Sequence, residues 1–88
     1  MRPPIDLPNV LRELTEKIRE ARGLTPLSDL APTSDLRLDL DLDSLDLAEL
    51  TVRIQDRYGV DVFAAGVVRT WGELIQRVQH HIEHGRSA

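Results

Sequence analysis

The chain contains no cysteine, which excludes a disulfide framework, a thiolate zinc site and a thiol nucleophile together. It also lacks a basic footprint. Fifteen acidic residues stand against 11 basic ones, for a net charge of −4 with histidine neutral, and general nucleic-acid binding needs the opposite balance. Lysine is nearly missing: ten arginines accompany the single Lys17, a bias with no functional meaning at the level of sequence. The start, Met1-Arg2-Pro3-Pro4-Ile5-Asp6, has no apolar stretch of the kind a signal peptide needs. The longest near-apolar run, residues 62–68, is far short of the roughly 20 residues that span a bilayer. A cytoplasmic protein without membrane association is expected. The five glycines are scattered and form no phosphate-cradling loop, and there is no internal repeat. With 88 residues there is room for one domain, expected over 1–88 with a core from about 7 to 84 and frayed ends. A chain this short buries roughly 60% of its unfolded surface, enough for a modest core and no deep cleft. Apolar residues at 41% and charged ones at 30% place it among globular proteins.

What is present is unevenly placed. Between Ser28 and Glu49 lie Asp29, Asp35, Asp39, Asp41, Asp43, Asp46 and Glu49 against Arg37 alone, a net −6, while residues 1–27 and 50–88 each sum to +1. The charge of the whole chain belongs to one central segment. Such a concentration is either a solvated face or a field that steers a basic partner.

Hydrophobic spacing predicts helices. The first is expected from about Asn9, as N-cap, to Arg22, with Val10, Leu11, Leu14, Ile18 and Ala21 on one face, Gly23 as stop, and Arg19 and Arg22 where the helix dipole favours cations. Residues 24–43 read as a long connection pegged by Leu24, Leu27, Leu30, Leu36, Leu38, Leu40 and Leu42, with one turn expected at Thr25-Pro26. Leu36 to Leu42 alternates Leu with Arg or Asp like a half-buried strand, but no second alternating run exists to pair with it, and a lone strand is not stable. The second helix is expected from about Ser44 to Tyr58. It has an inward stripe of Leu47, Leu50, Thr51, Ile54 and Tyr58, and leaves Leu45, Ala48 and Val52 on another side. Val60 and Val62 approach the core, and Phe63 to Val68 suits a short helix. Thr70-Trp71-Gly72-Glu73 is a capping box opening the last helix, with Trp71, Leu74, Ile75, Val78 and Ile82 inward and Gly85 closing it before a frayed end. The expected fold is an all-α bundle of three long helices and one short one.

Several chemistries fail on their own requirements. Asp39, Asp41 and Asp43 match positions 1, 3 and 5 of a calcium loop, but Ser44 stands where Gly is needed and Leu50 where Glu is needed, with Glu49 one residue off. His80 and His84 have metal-sharing spacing, yet with His81 they form a terminal polar face without a third ligand in sequence. Ser44 lacks the Gly-x-Ser-x-Gly setting of a hydrolase nucleophile, and the histidines lie in another helix. Asp43-Ser44-Leu45 remains: a serine at the start of an acidic helix. On its own it reads equally as an ordinary helix cap.

In context, Leu40-Asp41-Leu42-Asp43-Ser44-Leu45-Asp46-Leu47-Ala48-Glu49-Leu50 resembles the Leu-Gly-x-Asp-Ser-Leu signature of acyl carrier proteins. Tyr58-Gly59-Val60-Asp61-Val62 and Thr70-Trp71-Gly72-Glu73-Leu74 resemble that family's later elements, so the likeness covers about residues 7–84. It implies a non-catalytic carrier with 4′-phosphopantetheine, donated from coenzyme A, attached to Ser44 between Asp43 and Leu45. Acyl or aminoacyl groups would ride on the arm as thioesters. The position suits the task, because free amides and the positive end of the dipole at a helix start favour a phosphate. The resemblance further implies docking through Leu45, Asp46, Ala48, Glu49 and Val52. The implied partners are a phosphopantetheinyl transferase, an acyl- or aminoacyl-loading ligase, synthase or condensing enzymes and a thioesterase, with no nucleic acid and a monomeric state. The pathway would be polyketide, nonribosomal-peptide or fatty-acid synthesis. Arg53 and Arg57 interrupt the acidity of the second helix, which tilts the expectation toward secondary metabolism. One residue departs from the pattern: Asp41 replaces the motif glycine, and if its φ is positive, Asp tolerates that better than most residues but less well than Gly. The alternative in a different class is a carrier-like helical interaction module that is not modified.

Overall fold

The computed structural model describes residues 6–63 and 66–84, with His84 described in its backbone only. Three helices, α1 (Leu7–Ala21), α2 (Ser44–Tyr58) and α3 (Trp71–His84), follow one another, and α1 packs against both α2 and α3. The result is an all-α bundle.

α1 is capped three residues earlier than its spacing predicts. Asp6, not Asn9, is the N-cap: its carboxylate accepts the Asn9 amide, and Pro8 occupies the first turn, where no amide partner is lost. The buried face runs through Leu7, Leu11, Leu14, Thr15 and Ile18. Thr15 joins the core because its hydroxyl donates to the Leu11 carbonyl at 2.8 Å, which removes the cost of burying it. Val10 is half-buried against that core, as its place in the predicted stripe requires, whereas Ala21 is exposed and leaves the stripe. Gly23, at φ +78°, ends the helix as expected: its amide and that of Leu24 return to the Glu20 and Arg19 carbonyls, closing a Schellman motif.

α2 has the predicted bounds, with Leu50 and Ile54 buried and Leu47, Thr51 and Tyr58 half-buried. α3 opens on the predicted capping box. The Glu73 carboxylate accepts the Thr70 amide at 3.1 Å while the Thr70 hydroxyl accepts the Glu73 amide at 3.2 Å. Trp71, Leu74 and Val78 are buried, and Ile75 and Ile82 pack against them. The expected stop at Gly85 and the expected frayed end lie outside the described residues. So do Ala64 and Ala65, within the expected short helix 63–68. Its described residues form a turn closed by the Gly66 amide on the Phe63 carbonyl, and among the described residues three helices are seen.

The connection 22–43 contains no regular element, and the turn predicted at Thr25-Pro26 is absent; the chain turns at Pro32-Thr33 instead. Arginine side chains hold this connection. Arg12 donates to the Leu27 and Ser28 carbonyls at 2.8 and 2.6 Å, Arg19 to the Leu40 carbonyl at 2.9 Å and to that of Thr25, and Arg22 to the Asp41 carbonyl at 2.7 Å. Arg19 is itself buried. A guanidinium presents several donors in a fixed fork, so one side chain can satisfy two loop carbonyls, which a lysine ammonium does less readily. Arg77 does the same for Val62 and Gly66. The predicted rejection of a strand over 36–42 agrees with a single isolated bridge, Asp35 to Thr70. Leu36, Leu40 and Leu42 are buried pegs, but Leu38 is 85% exposed and pegs nothing.

Candidate functional site

The segment before α2 is shaped by its own acids. The Asp35 carboxylate accepts the Arg37 and Leu38 amides at 2.8 and 2.9 Å, and the Asp39 carboxylate accepts the Asp35 amide. These bonds wind the chain tightly enough for the Leu42 amide to reach the Leu36 carbonyl at 3.1 Å. Donation from Leu38 and then Arg37 holds the Asp35 carboxyl below its ordinary value, with Arg69 and Arg37 adding a smaller pull. Asp41 then takes φ +59°, the left-handed region, and is the one non-glycine residue to do so among the described residues. The condition attached to the missing motif glycine is therefore met.

Asp43 is the N-cap of α2, with extended backbone, and Ser44 is the first helical residue. The Asp43 carboxylate accepts the Asp46 amide at 2.8 Å, and the Asp46 carboxylate accepts the Asp43 amide at 3.0 Å. This is a reciprocal box. Asp43 is consequently held below its ordinary carboxyl value, chiefly by the Asp46 amide. Ser44 is exposed at the end of the helix where the first amides lack internal acceptors and the dipole is positive. These features fit a phosphate ester on the hydroxyl.

Along α2, Leu45 (80% exposed), Ala48, Glu49 and Val52 (64% exposed) recur at the spacing of one face. Glu49 is bound by Arg53 through Nε and Nη2 at 3.0 and 2.8 Å. Asp46 does not belong with them. It is only 6% exposed, because its carboxylate is committed to the Asp43 amide and to Arg22. Its expected docking role is corrected to a capping one. The signal was available, since Asp43 and Asp46 have capping-box spacing with Asp in place of the usual Glu. The role of Arg22 carried no local signal, because its partners lie 19 and 24 residues away.

Asp39, Asp41 and Asp43 do not converge. Asp39 and Asp43 serve separate backbone amides, and among the described residues no group of three or more His, Cys, Asp or Glu is placed to hold a metal. His80 and His81 sit on α3, and the His84 side chain lies outside the described residues. Beside α2 a groove of about 590 Å³ is lined by Leu38, Leu47, Phe63, Val67 and Val68 together with Asp35, Arg37 and Arg69.

The α2 start thus displays a serine on a capped helix end, with Leu45 and Val52 exposed along the helix beyond it. The family model described as "Phosphopantetheine attachment site" matches residues 12–78. The chain belongs to the acyl carrier protein family. It is 34% identical over 79 residues to the "Meromycolate extension acyl carrier protein" of Mycobacterium tuberculosis, covering 86% of this chain and 67% of that one. It is 37% identical over 73 residues to the protein of that name from Mycolicibacterium smegmatis, covering 80% and 72%. It is also 33% identical over 82 residues to the "Acyl carrier protein" of Rhodococcus erythropolis, covering 90% and 88%. No solved structure matches the chain. The protein is thus a carrier with a 4′-phosphopantetheine cofactor that tethers biosynthetic intermediates. As a family member it is a non-catalytic partner of phosphopantetheinyl transferases and synthases. Among the described residues no helix is long and apolar enough to cross a membrane.

Proposed function

We propose that Ser44 carries the arm and that Leu45, Ala48, Glu49 and Val52 form the face that partner enzymes read. The single observation that carries this reading is the exposed Ser44 at the first position of α2, inside the Asp43–Asp46 box. Asp43 fixes the helix start, and the first-turn amides would face the phosphate. When attached, the arm supplies a thiol on which acyl groups ride as thioesters. The carrier itself contributes display and recognition: it keeps the hydroxyl open to solvent and offers an apolar strip of Leu45 and Val52 with an ionic neighbour in Glu49.

The cargo we infer is acyl rather than aminoacyl. The relatives named above are acyl carriers, and the apolar lining of the groove beside α2 suits such a chain. The tilt toward secondary metabolism rests on Arg53 and Arg57, of which Arg53 pairs with Glu49 and so offsets the acidity of that face. The remaining features of the proposal are a short helix within residues 63–68, one carrier domain over 1–88, a monomer in the cytoplasm, and loading and releasing enzymes among its partners.

The test is intact mass after incubation with coenzyme A and a promiscuous phosphopantetheinyl transferase. A gain of one arm that disappears in Ser44→Ala supports the reading. No gain under conditions that modify a control carrier, or a gain that persists in Ser44→Ala, overturns it.

A further inference from the structure

We propose that Arg22 is a positioning residue for the modification of Ser44: anchored at the end of α1, it holds the backbone in front of the serine in the shape the transferase must meet. The proposal rests on the Ser44 reading above. From one side chain, Nη1 donates to the Asp41 carbonyl at 2.7 Å and to the Asp46 carboxylate, and Nη2 lies 3.9 Å from the Asp43 carboxylate. Those three residues are the left-handed turn, the N3 partner of the capping box and the N-cap itself. Arg22 therefore joins the turn before Ser44 to both halves of the capping box around it.

The demand for such a clamp comes from Asp41. A residue with a Cβ leaves the left-handed region readily, and glycine does not need to be held there. Arg22 grips the carbonyl of that same residue. The guanidinium thus offsets the local preference that the motif glycine would otherwise have satisfied. It acts through Asp41 and Asp46, not on the reacting atoms. In the reaction, Ser44 Oγ bonds to the β-phosphorus of coenzyme A and the phosphoanhydride bond breaks. Adenosine 3′,5′-bisphosphate leaves with the electron pair, and the hydroxyl proton passes to a base on the transferase. A loop that must first be ordered draws on binding energy, so loss of the clamp appears mainly in KM.

The experiment measures kcat and KM of a promiscuous transferase on the apo-carrier for wild type, R22Q, D41G, R22Q/D41G and R12Q, at a temperature where circular dichroism shows each to be folded. Arg12 is the control, because it also staples loop carbonyls, but at residues 27–28. The expected result is a loss of about tenfold in kcat/KM for R22Q, carried by KM, the scale of one charge-assisted hydrogen bond. R12Q stays within about twofold of wild type, the scale at which additive surface changes become indistinguishable. D41G restores at least half of the R22Q loss on a logarithmic scale. Amide exchange at Leu42, Asp43 and Asp46 speeds up in R22Q while exchange in α3 does not. Equal losses in R22Q and R12Q, an R22Q that matches wild type, or no rescue by D41G overturns the proposal. If R22Q does not fold, R22K takes its place with the same criteria, since an ammonium cannot span the carbonyl and both carboxylates. A wild-type carrier that takes no arm would instead remove the Ser44 reading, which separates the two failures.

Discussion

Asp41 offers the sharpest test of how this loop is built. At φ +59° an ordinary L-residue is strained by about 1–2 kcal/mol, whereas Asp is among the few residues that visit this region with local help from a short polar side chain. Substitution by Gly removes the remaining strain but lets the unfolded chain gain about 0.5–1 kcal/mol of conformational freedom. The two terms nearly cancel, so D41G should lie within about 0.5 kcal/mol of wild type. D41N should behave alike. D41V combines a β-branched side chain with no local hydrogen bond and should lose about 1–2 kcal/mol, or roughly 4–16 °C in melting temperature for a domain of this size. The Arg22 contact is to the backbone carbonyl and is available to every variant, so the series isolates the backbone conformation. Thermal and urea unfolding followed by far-ultraviolet circular dichroism provide the measurement. A D41V protein as stable as wild type, or a D41G protein as damaged as D41V, would refute the left-handed assignment.

Three further outcomes are expected. In Gly72→Ala the new Cβ would lie 2.9 Å from the Pro32 carbonyl oxygen, the acceptor of the Gly72 amide. The 32–36 segment must then move away from α3, at about 1–3 kcal/mol by unfolding in urea, and a neutral result would show that this approach is looser than described. Charge reversal in E49R breaks an exposed pair with Arg53 and sets like charges one turn apart, costing together about 0.5–1 kcal/mol. It should slow transfer to or from a partner enzyme at low salt, and unchanged rates would remove Glu49 from the docking face. Asp35, Asp43 and Glu73 are all held below their ordinary values, 3.8 for the two Asp and 4.5 for Glu, mainly by backbone amide donors. Their contribution is therefore complete above those values and is lost as pH falls through the lower folded ones, so melting temperature should drop on acidification below about pH 4. D43N, which still caps but does not titrate, should make that drop shallower. An equally steep drop would place the acid sensitivity elsewhere.

The sequence made the long helices legible because their apolar spacing and caps are local. α2 has the bounds that Ser44, Tyr58 and Gly59 announce, and the Thr70–Glu73 box is the start of α3. Errors arose where two caps compete or where a partner is distant. Asp6 captures α1 because Pro8 tolerates the first turn, a choice that Asn9 obscured. Leu38 shares the alternation of Leu36, Leu40 and Leu42 but is turned outward by the tight winding around Asp35. The resemblance puts Asp46 on the docking face, whereas its carboxylate is drawn inward by the Asp43 amide, a local partner, and by Arg22, a distant one. The excess of arginine, meaningless as composition, becomes intelligible once Arg12, Arg19, Arg22 and Arg77 are seen to hold loop carbonyls.

The same contacts bear on what the acidic segment is for. Of its seven acids, Asp35, Asp39, Asp43, Asp46 and Glu49 have duties inside the molecule. Most of those duties are to backbone amides, which hold a carboxylate without cancelling its charge. Cations meet the segment mainly through Arg22 and Arg53, which bring the local charge from −6 to −4, so a field that attracts a basic enzyme survives. Field and geometry make opposite demands at Arg22. Removing its charge deepens the negative field around Ser44 and, if attraction governed the encounter, would speed association, most of all at low salt. Removing its hydrogen bonds releases the turn and slows modification at every salt concentration. The sign of the R22Q effect at low ionic strength therefore decides between them. A loss means that the segment's acids matter to the transferase first as the scaffold that presents Ser44 and only second as a source of attraction.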